Sequence, residues 1–378
     1  MHSYVIAVCS SLAETSFNLF HLDVCFRFSA MESRFNLEYL IQLIKSLIIP
    51  GSIPSNCTAA LDQPSASEFL SHVEDGQLSL LIFGSTCTGL IIALAFVHWF
   101  FIWRYISKEK RQNKLYFLIS LLPVSASCCL IGMFMPRTAT IITSLGILYF
   151  LLCLFVLVSL IRHLAGGRAN LAMFLRNSGR MINIQSPPFC CFMWFLPKFS
   201  PTEGNLRRLE WMVLQAPVVR AFIVTSNVIA VAEYRQDARQ WLQLSDIGSV
   251  ASLLLAIFGM HTLARLSGEK LSEYKFMKIF RLVDFALLFF TAQQPMIFEN
   301  ILVRFNVFEC GPLLSPHDSA KFVCNFIIIC EMLLLSLVAT FYLKPSKNAL
   351  FDTFYMKEST TALADSESTD QSMLNLIA

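Results

Sequence analysis

Arg220, Glu331 and the pair Gln294-Pro295 are the residues whose types and settings could do chemistry, because each lies in an apolar run long enough to cross a bilayer. Lipid cannot solvate a guanidinium, a carboxylate or an amide. An unpaired arginine at the bilayer centre costs from about 2.5 to above 10 kcal/mol, so such groups persist only where they pair, line a wet cavity or attract a ligand. Arg220 sits in WMVLQAPVVRAFIVTSNVIAVAE, with Pro217 just before it and Asn227 on the same helical face seven residues later. Its candidate internal partners are Asp284, Glu299 and Glu331. A structural ion pair is one reading and an anion-attracting site is the other. Glu331 lies in VCNFIIICEMLLLSLVATFYL, where Asn325 gives the same span a polar side. It is expected to partner Arg220 or to make a hydrogen bond between helices.

The stretch Phe280 to Phe305, FRLVDFALLFFTAQQPMIFENILVRF, must position the rest. Pro295 has no N–H, so a helix through it leaves the carbonyl of Thr291 without its usual donor. At 100° per residue Asp284, Thr291, Gln294, Pro295 and Glu299 share one arc of roughly 140°, which must face protein or water. Two readings stand: a Pro-kinked helix packed on its neighbours, and a broken helix lining a solute path. Arg220, Asn227, Thr291, Gln294, Pro295 and Glu331 are therefore the expected lining of such a path.

The elements follow from composition. The 378 residues are 55% hydrophobic and 15% charged, with 34 Phe, and the mean hydropathy is +0.59. These values mark an all-α polytopic membrane protein. Seven spans are predicted, at 78–103, 115–135, 139–161, 211–232, 247–266, 280–305 and 320–343. Lys and Arg alternate in density at every crossing, eighteen on one side against six on the other. That bias places the N-terminus outside and the C-terminus in the cytosol. Residues 1–77 read as an acidic extracellular head, with an amphipathic surface helix over 40–49. Residues 162–210 read as a cytosolic loop and 344–378 as a disordered cytosolic tail. Met31 is a second candidate initiator, and Ser366 and Ser368 in the acidic tail are candidate phosphorylation sites.

Other groups take simpler readings. Asn56-Cys57-Thr58 is the one N-glycosylation sequon, and it falls on the outer side. Cys57 and Cys310 also fall outside and could form a disulfide, with Cys9 and Cys25 as alternatives. Cys190 and Cys191, in SPPFCCFMWFLPKF, form a juxtamembrane pair of the kind S-palmitoylation acts on, inert packing being the alternative. The twelve cysteines show no zinc-ligand spacing. His98 is expected in an aromatic belt and His261 is expected to be packed. Neither a P-loop nor an HExxH motif appears, so no enzyme, metal, cofactor or nucleic-acid partner is expected.

Four motifs carry a resemblance: the proline-flanked Cys190-Cys191 loop, LQAPVVRAF at 214–222, GEKLSEYKFMKIF followed by TAQQPMIF within 268–298, and Cys310, Glu331 and the closing LNLIA. On these the chain resembles the alpha subunit of the organic solute transporter and, more distantly, the transmembrane protein 184 group. The resemblance implies seven helices with the N-terminus outside. It also implies facilitated movement of amphipathic organic anions, such as bile acids or steroid conjugates, in either direction down their gradient. A single-pass beta subunit is implied as partner, with delivery to the plasma membrane, basolateral in a polarised cell, and endoplasmic reticulum retention without that partner. The alternative is a seven-transmembrane receptor of the G-protein-coupled kind. Against it, the third span ends LIRHLAGG rather than in a DRY-like triplet, and the seventh lacks NPxxY.

Overall fold

The computed structural model describes residues 64–183, 199–234, 239–303, 305, 307–308, 314–345 and 348–354, and its regular elements are all helices. A short α1 (Ala66–Ser71) starts at a capping box. Ser65 Oγ accepts from the Glu68 N–H at 3.3 Å, and the Glu68 carboxylate accepts from the Ser65 N–H at 3.4 Å. The long α2 (Asp75–Tyr105) follows, then α3 (Glu109–Ile119) and α4 (Leu121–Phe134), which together make one span. Pro123, early in α4, has no N–H to offer the Ile119 carbonyl, which accounts for the seam at Ser120. A 3-10 turn at Pro136–Thr138 leads to α5 (Ala139–Leu164) and the short α6 (Arg168–Asn177). Then come α7 (Glu203–Tyr234), α8 (Arg239–Ser267), α9 (Phe276–Gln293), a π-helix (Gln294–Leu302) and α10 (Pro316–Tyr342).

Six of these segments are long and apolar enough to cross a membrane: Asp75–Tyr105, Glu109–Phe134, Pro136–Leu164, Glu203–Tyr234, Leu244–Ser267 and Pro316–Tyr342. They coincide with six of the seven expected spans. The other, 280–305, is occupied by α9 and the π-helix. The whole of α9, which begins at Phe276, has 18 residues and carries Lys278, Arg281 and Asp284, so it is shorter and more polar than its neighbours.

The centre of the bundle is the packing of α4 on α10 and of both on α2. Small residues make this possible. A Cβ at Gly84 would touch Ile329, Phe326 and Met133, and one at Gly132 would stand 3.0 Å from Asn325 Nδ2. Of the most apolar stretch of Glu109–Phe134, 56% is buried, against 22% for Glu203–Tyr234. The α3–α4 span is thus central, and α7 lies toward the periphery with α8 as its main neighbour.

At the end of the bundle richest in Lys and Arg, two features depart from expectation. The segment expected as a loop over 162–210 contains α6 and the start of α7, tied together by Arg168, which donates to both Glu210 oxygens at 2.7 to 2.9 Å. The tail expected to be disordered from 344 is packed over 348–354, where Asn348, Leu350 and Phe351 are buried. Asp352 accepts from Ser107 N at 3.0 Å and from Ser107 Oγ at 2.7 Å, and it lies 3.6 Å from Arg111. The Ser/Thr/acidic composition that suggested disorder belongs to the residues beyond this clasp.

Candidate functional site

Arg220 lies half-buried where α7 meets α8 and α5. Nη1 donates to Ser249 Oγ of α8 at 2.5 Å, and Nη2 to Ser144 Oγ of α5 at 3.3 Å. Its Nε is buried without an acceptor. The guanidinium is thus held by neutral hydroxyls. Among the described residues no carboxylate stands within ion-pair distance, and Asp246 of α8 attracts it only from farther away. The same seam carries a second polar pair: Gln215 donates to the Ser252 carbonyl at 3.0 Å and accepts from Ser252 Oγ at 2.9 Å. The helices approach this closely because residue 259 is Gly, where a Cβ would stand 3.0 Å from the Leu209 carbonyl oxygen. Asn227, further along α7, has its Oδ1 buried and unpartnered.

The expected ion pairs of Arg220 with Asp284 and Glu331 are not formed. Asp284 instead lies 3.0 Å from His261 Nε2 and 3.9 Å from Arg281 Nη1, while the His261 ring stands edge-on to Phe280. Glu331 Oε1 accepts from Gln293 Nε2 at 2.6 Å, joining α10 to the last residue of α9. His98 also departs from expectation. It is buried rather than placed in an aromatic belt, and its Nε2 meets Thr340 Oγ1 of α10 at 2.8 Å.

The helix through Pro295 does not break. It passes from α9 into the π-helix, where the wider turn is closed by bonds such as Val303 N–H to the Phe298 carbonyl at 3.2 Å. A proline that cannot donate to residue 291 is accommodated by shifting the pairing register. Gln293, outside the predicted arc, makes the contact to α10, whereas Thr291 spends its hydroxyl on the Leu287 carbonyl at 2.7 Å and Pro295 is exposed.

The predicted lining therefore divides into two polar centres, one holding Arg220 and the other Glu331. The packing of α7 is chiefly on α8, α5 and α6, and that of α9 on α10, the π-helix and α5, so α5 touches both groups. Ser144 and Gly146 on α5 are about 200° apart around the helix. Ser144 reaches Arg220, while Gly146 forms the notch that receives Phe290 of α9; a Cβ there would fall 2.5 Å from that ring. A small apolar crevice of about 30 Å³ is lined by Leu118, Leu122, Leu282 and Tyr342, among others. Lys278 stands at its rim, 4.8 Å from the centre of the Tyr342 ring, and His98 lies within it. Cys190, Cys191, Asn56, Cys57 and Cys310, and the side chain of Glu299, lie outside the described residues.

The family model described as organic solute transporter Ostalpha matches residues 80–348, a range that includes both polar centres and the crevice. The chain belongs to the organic solute transporter alpha family. Within that family it is similar to organic solute transporter alpha-like protein 3 of Caenorhabditis elegans, 54% identical over 316 residues, 84% of this chain and 90% of the relative. Alpha-like protein 1 of the same organism is 31% identical over 76% of this chain and 75% of its own length. Alpha-like protein 2 is 30% identical over 83% and 91%. No solved structure matches the chain. Membership of the organic solute transporter alpha family makes this a transporter-family membrane protein, and it favours transport over the receptor reading.

Sequence reasoning missed Ser144, Ser249, Gln215, Ser252 and Gln293. The available signal was the presence of small hydroxyl residues and glutamines inside spans, which hydrogen-bond across helices because lipid offers them nothing.

Proposed function

We propose that this chain is the alpha subunit of a facilitative transporter for amphipathic organic anions, moving bile-acid-like or steroid-conjugate-like solutes in either direction down their electrochemical gradient. The observation that carries the reading is Arg220, a span arginine whose charge is met by hydroxyls and by no described carboxylate at contact distance. A cation left in this state in a low-dielectric setting attracts an anionic head group strongly. The α9-to-π junction provides a helix whose turn geometry can change during passage.

In this reading the α9/π segment completes seven spans, with the N-terminus outside and the C-terminus in the cytosol. The chain acts at the plasma membrane with a single-pass beta subunit, and without it is retained in the endoplasmic reticulum. Asn56 carries glycan, Cys57 pairs with Cys310, and Cys190 and Cys191 carry acyl chains. The test is uptake and efflux of a labelled steroid sulfate in cells expressing the chain with and without a candidate single-pass partner. Flux in both directions that requires the partner supports the reading. Absence of flux with both proteins at the surface refutes the proposed cargo.

A further inference from the structure

Two buried polar atoms of the second centre have no partner, and they belong to the two side chains that already share one hydrogen bond. Glu331 Oε1 accepts from Gln293 Nε2 at 2.6 Å, while Glu331 Oε2 and Gln293 Oε1 are both buried and unpaired. An ionised carboxylate accepts only, as does the amide oxygen, so with Glu331 charged these two atoms cannot satisfy each other. A carboxylic acid has one O–H to donate. Placed on Oε2, that proton converts one orphan into a donor and gives the other orphan its donor. A planar acid and a planar amide that share one N–H···O bond are shaped to form the second bond alongside it.

We propose that Glu331 is held as the neutral carboxylic acid and closes a two-bond acid–amide ring with Gln293, fastening the α9-to-π junction to α10. Among the described groups around Glu331, only the Gln293 N–H that donates to Oε1 favours its charged form, and no cation stands at contact distance. Gln293 faces it from α9, the Cys129 thiol from α4 and the Cys330 thiol from its own helix, with Cys87 of α2 lying against Cys330. The π-helix contributes Glu299, whose side chain is outside the described residues. None of the described ion pairs involves Glu331. The neutral form also removes the cost of a charge within an apolar span.

Position gives the ring its role. Gln293 is the last α-helical residue before the register shift, and Gln294-Pro295 begins the π-helix. A helix that changes pitch at a proline is mechanically weak there. The ring ties that weak point to α10 without introducing a charge. Glu331 is in this sense a positioning residue, and the assignment does not depend on what the protein carries.

The experiment is infrared difference spectroscopy on the purified full chain at about pH 8, where exposed carboxyls are ionised. Wild type minus Glu331→Gln should show the carbonyl stretch of one protonated carboxyl group. A difference containing carboxylate bands alone overturns the proposal. Melting temperature gives an independent arm. Glu331→Gln, which can form an amide–amide ring, should melt within about 1 °C of wild type, while Glu331→Ala and Gln293→Ala each fall by about 3 °C or more. The double alanine variant should fall no further than either single one, because the ring is lost once. A Glu331→Gln variant as damaged as Glu331→Ala would also overturn it, since the charge and not the ring would then be what matters.

Discussion

The Arg220 centre and the Glu331 centre face the same problem, an ionisable side chain inside an apolar span, and meet it in different ways. Glu331 is matched by one amide of like capacity on a neighbouring helix, in the part of the bundle where α10 packs on α4 and α2. Arg220 is met by two serine hydroxyls on two different helices, beside the less buried α7, and keeps an unpartnered N–H. The simplest solution, pairing the cation with the carboxylate, is not adopted. The first arrangement suits a residue that holds helices together, and the second leaves positive charge available to something that is not part of the chain. A span charge is therefore informative about binding only after its partners are known.

The widest separation between the centres should appear in transport. Arg220→Ala should cut flux at least tenfold, equivalent to about 1.4 kcal/mol, with surface labelling unchanged, whereas Glu331→Gln should stay within about twofold of wild type. Equal losses in flux and surface expression for Arg220→Ala would make that residue structural and erase the contrast.

The wall between the centres is the next point of attack. Gly146→Ala places a methyl group 2.5 Å from the Phe290 ring, and overpacking of this kind costs about 1–3 kcal/mol. Thermal melting should show the loss, and Phe290→Leu in the same chain should recover part of it. No recovery would mean that α5 and α9 do not meet through this notch.

Smaller effects are expected from the serines. Ser249→Ala and Ser144→Ala should each cost about 0.6–1.5 kcal/mol by melting. Ser249 should be the larger, because its bond to Arg220 is 2.5 Å against 3.3 Å. The reverse order would show that Arg220 leans on α5 rather than α8.

The smallest effect is at the clasp outside both centres. Partial burial pushes the Asp352 carboxyl up, but hydrogen bonds from Ser107 and the Arg111 charge outweigh it and hold the group below its ordinary value. A depressed carboxyl contributes stability above its unfolded value of about 3.9, and that contribution fades as pH falls through the lower folded value. Because Asp352 is partly exposed, the gain is below about 1 kcal/mol. Hydrogen exchange over 348–354 should therefore quicken in Asp352→Asn at neutral pH and in wild type only under acid. Unchanged exchange in the variant would leave Leu350 and Phe351 as the whole of the clasp.

Much of the architecture was legible in the residues alone. Apolar runs of spanning length located the six helices long enough to cross a membrane and the segment containing α9 and the π-helix, because exclusion from water is a property of composition over about 20 residues and needs no knowledge of neighbours. The rarity of Arg220, Glu331 and Gln294-Pro295 in such runs marked where polar contacts would lie. Partner choice was not legible. The arc drawn through Asp284 and Glu299 favoured Gln294, while α9 turns Gln293, on the opposite side from Asp284, toward Glu331. Asp284 looked available to Arg220 and was taken by His261.

The chain by itself therefore determined that this is a helical membrane protein, which residues are costly in lipid, and, through LQAPVVRAF and TAQQPMIF, the family it joins. Only the tertiary structure decided that those costly residues form two centres, with α5 presenting Ser144 to one and Gly146 to the α9 ring beside the other. Hydrophobicity is summed along a segment and can be read from it. A hydrogen bond depends on distances of a few tenths of an ångström between different helices, and those are set by packing.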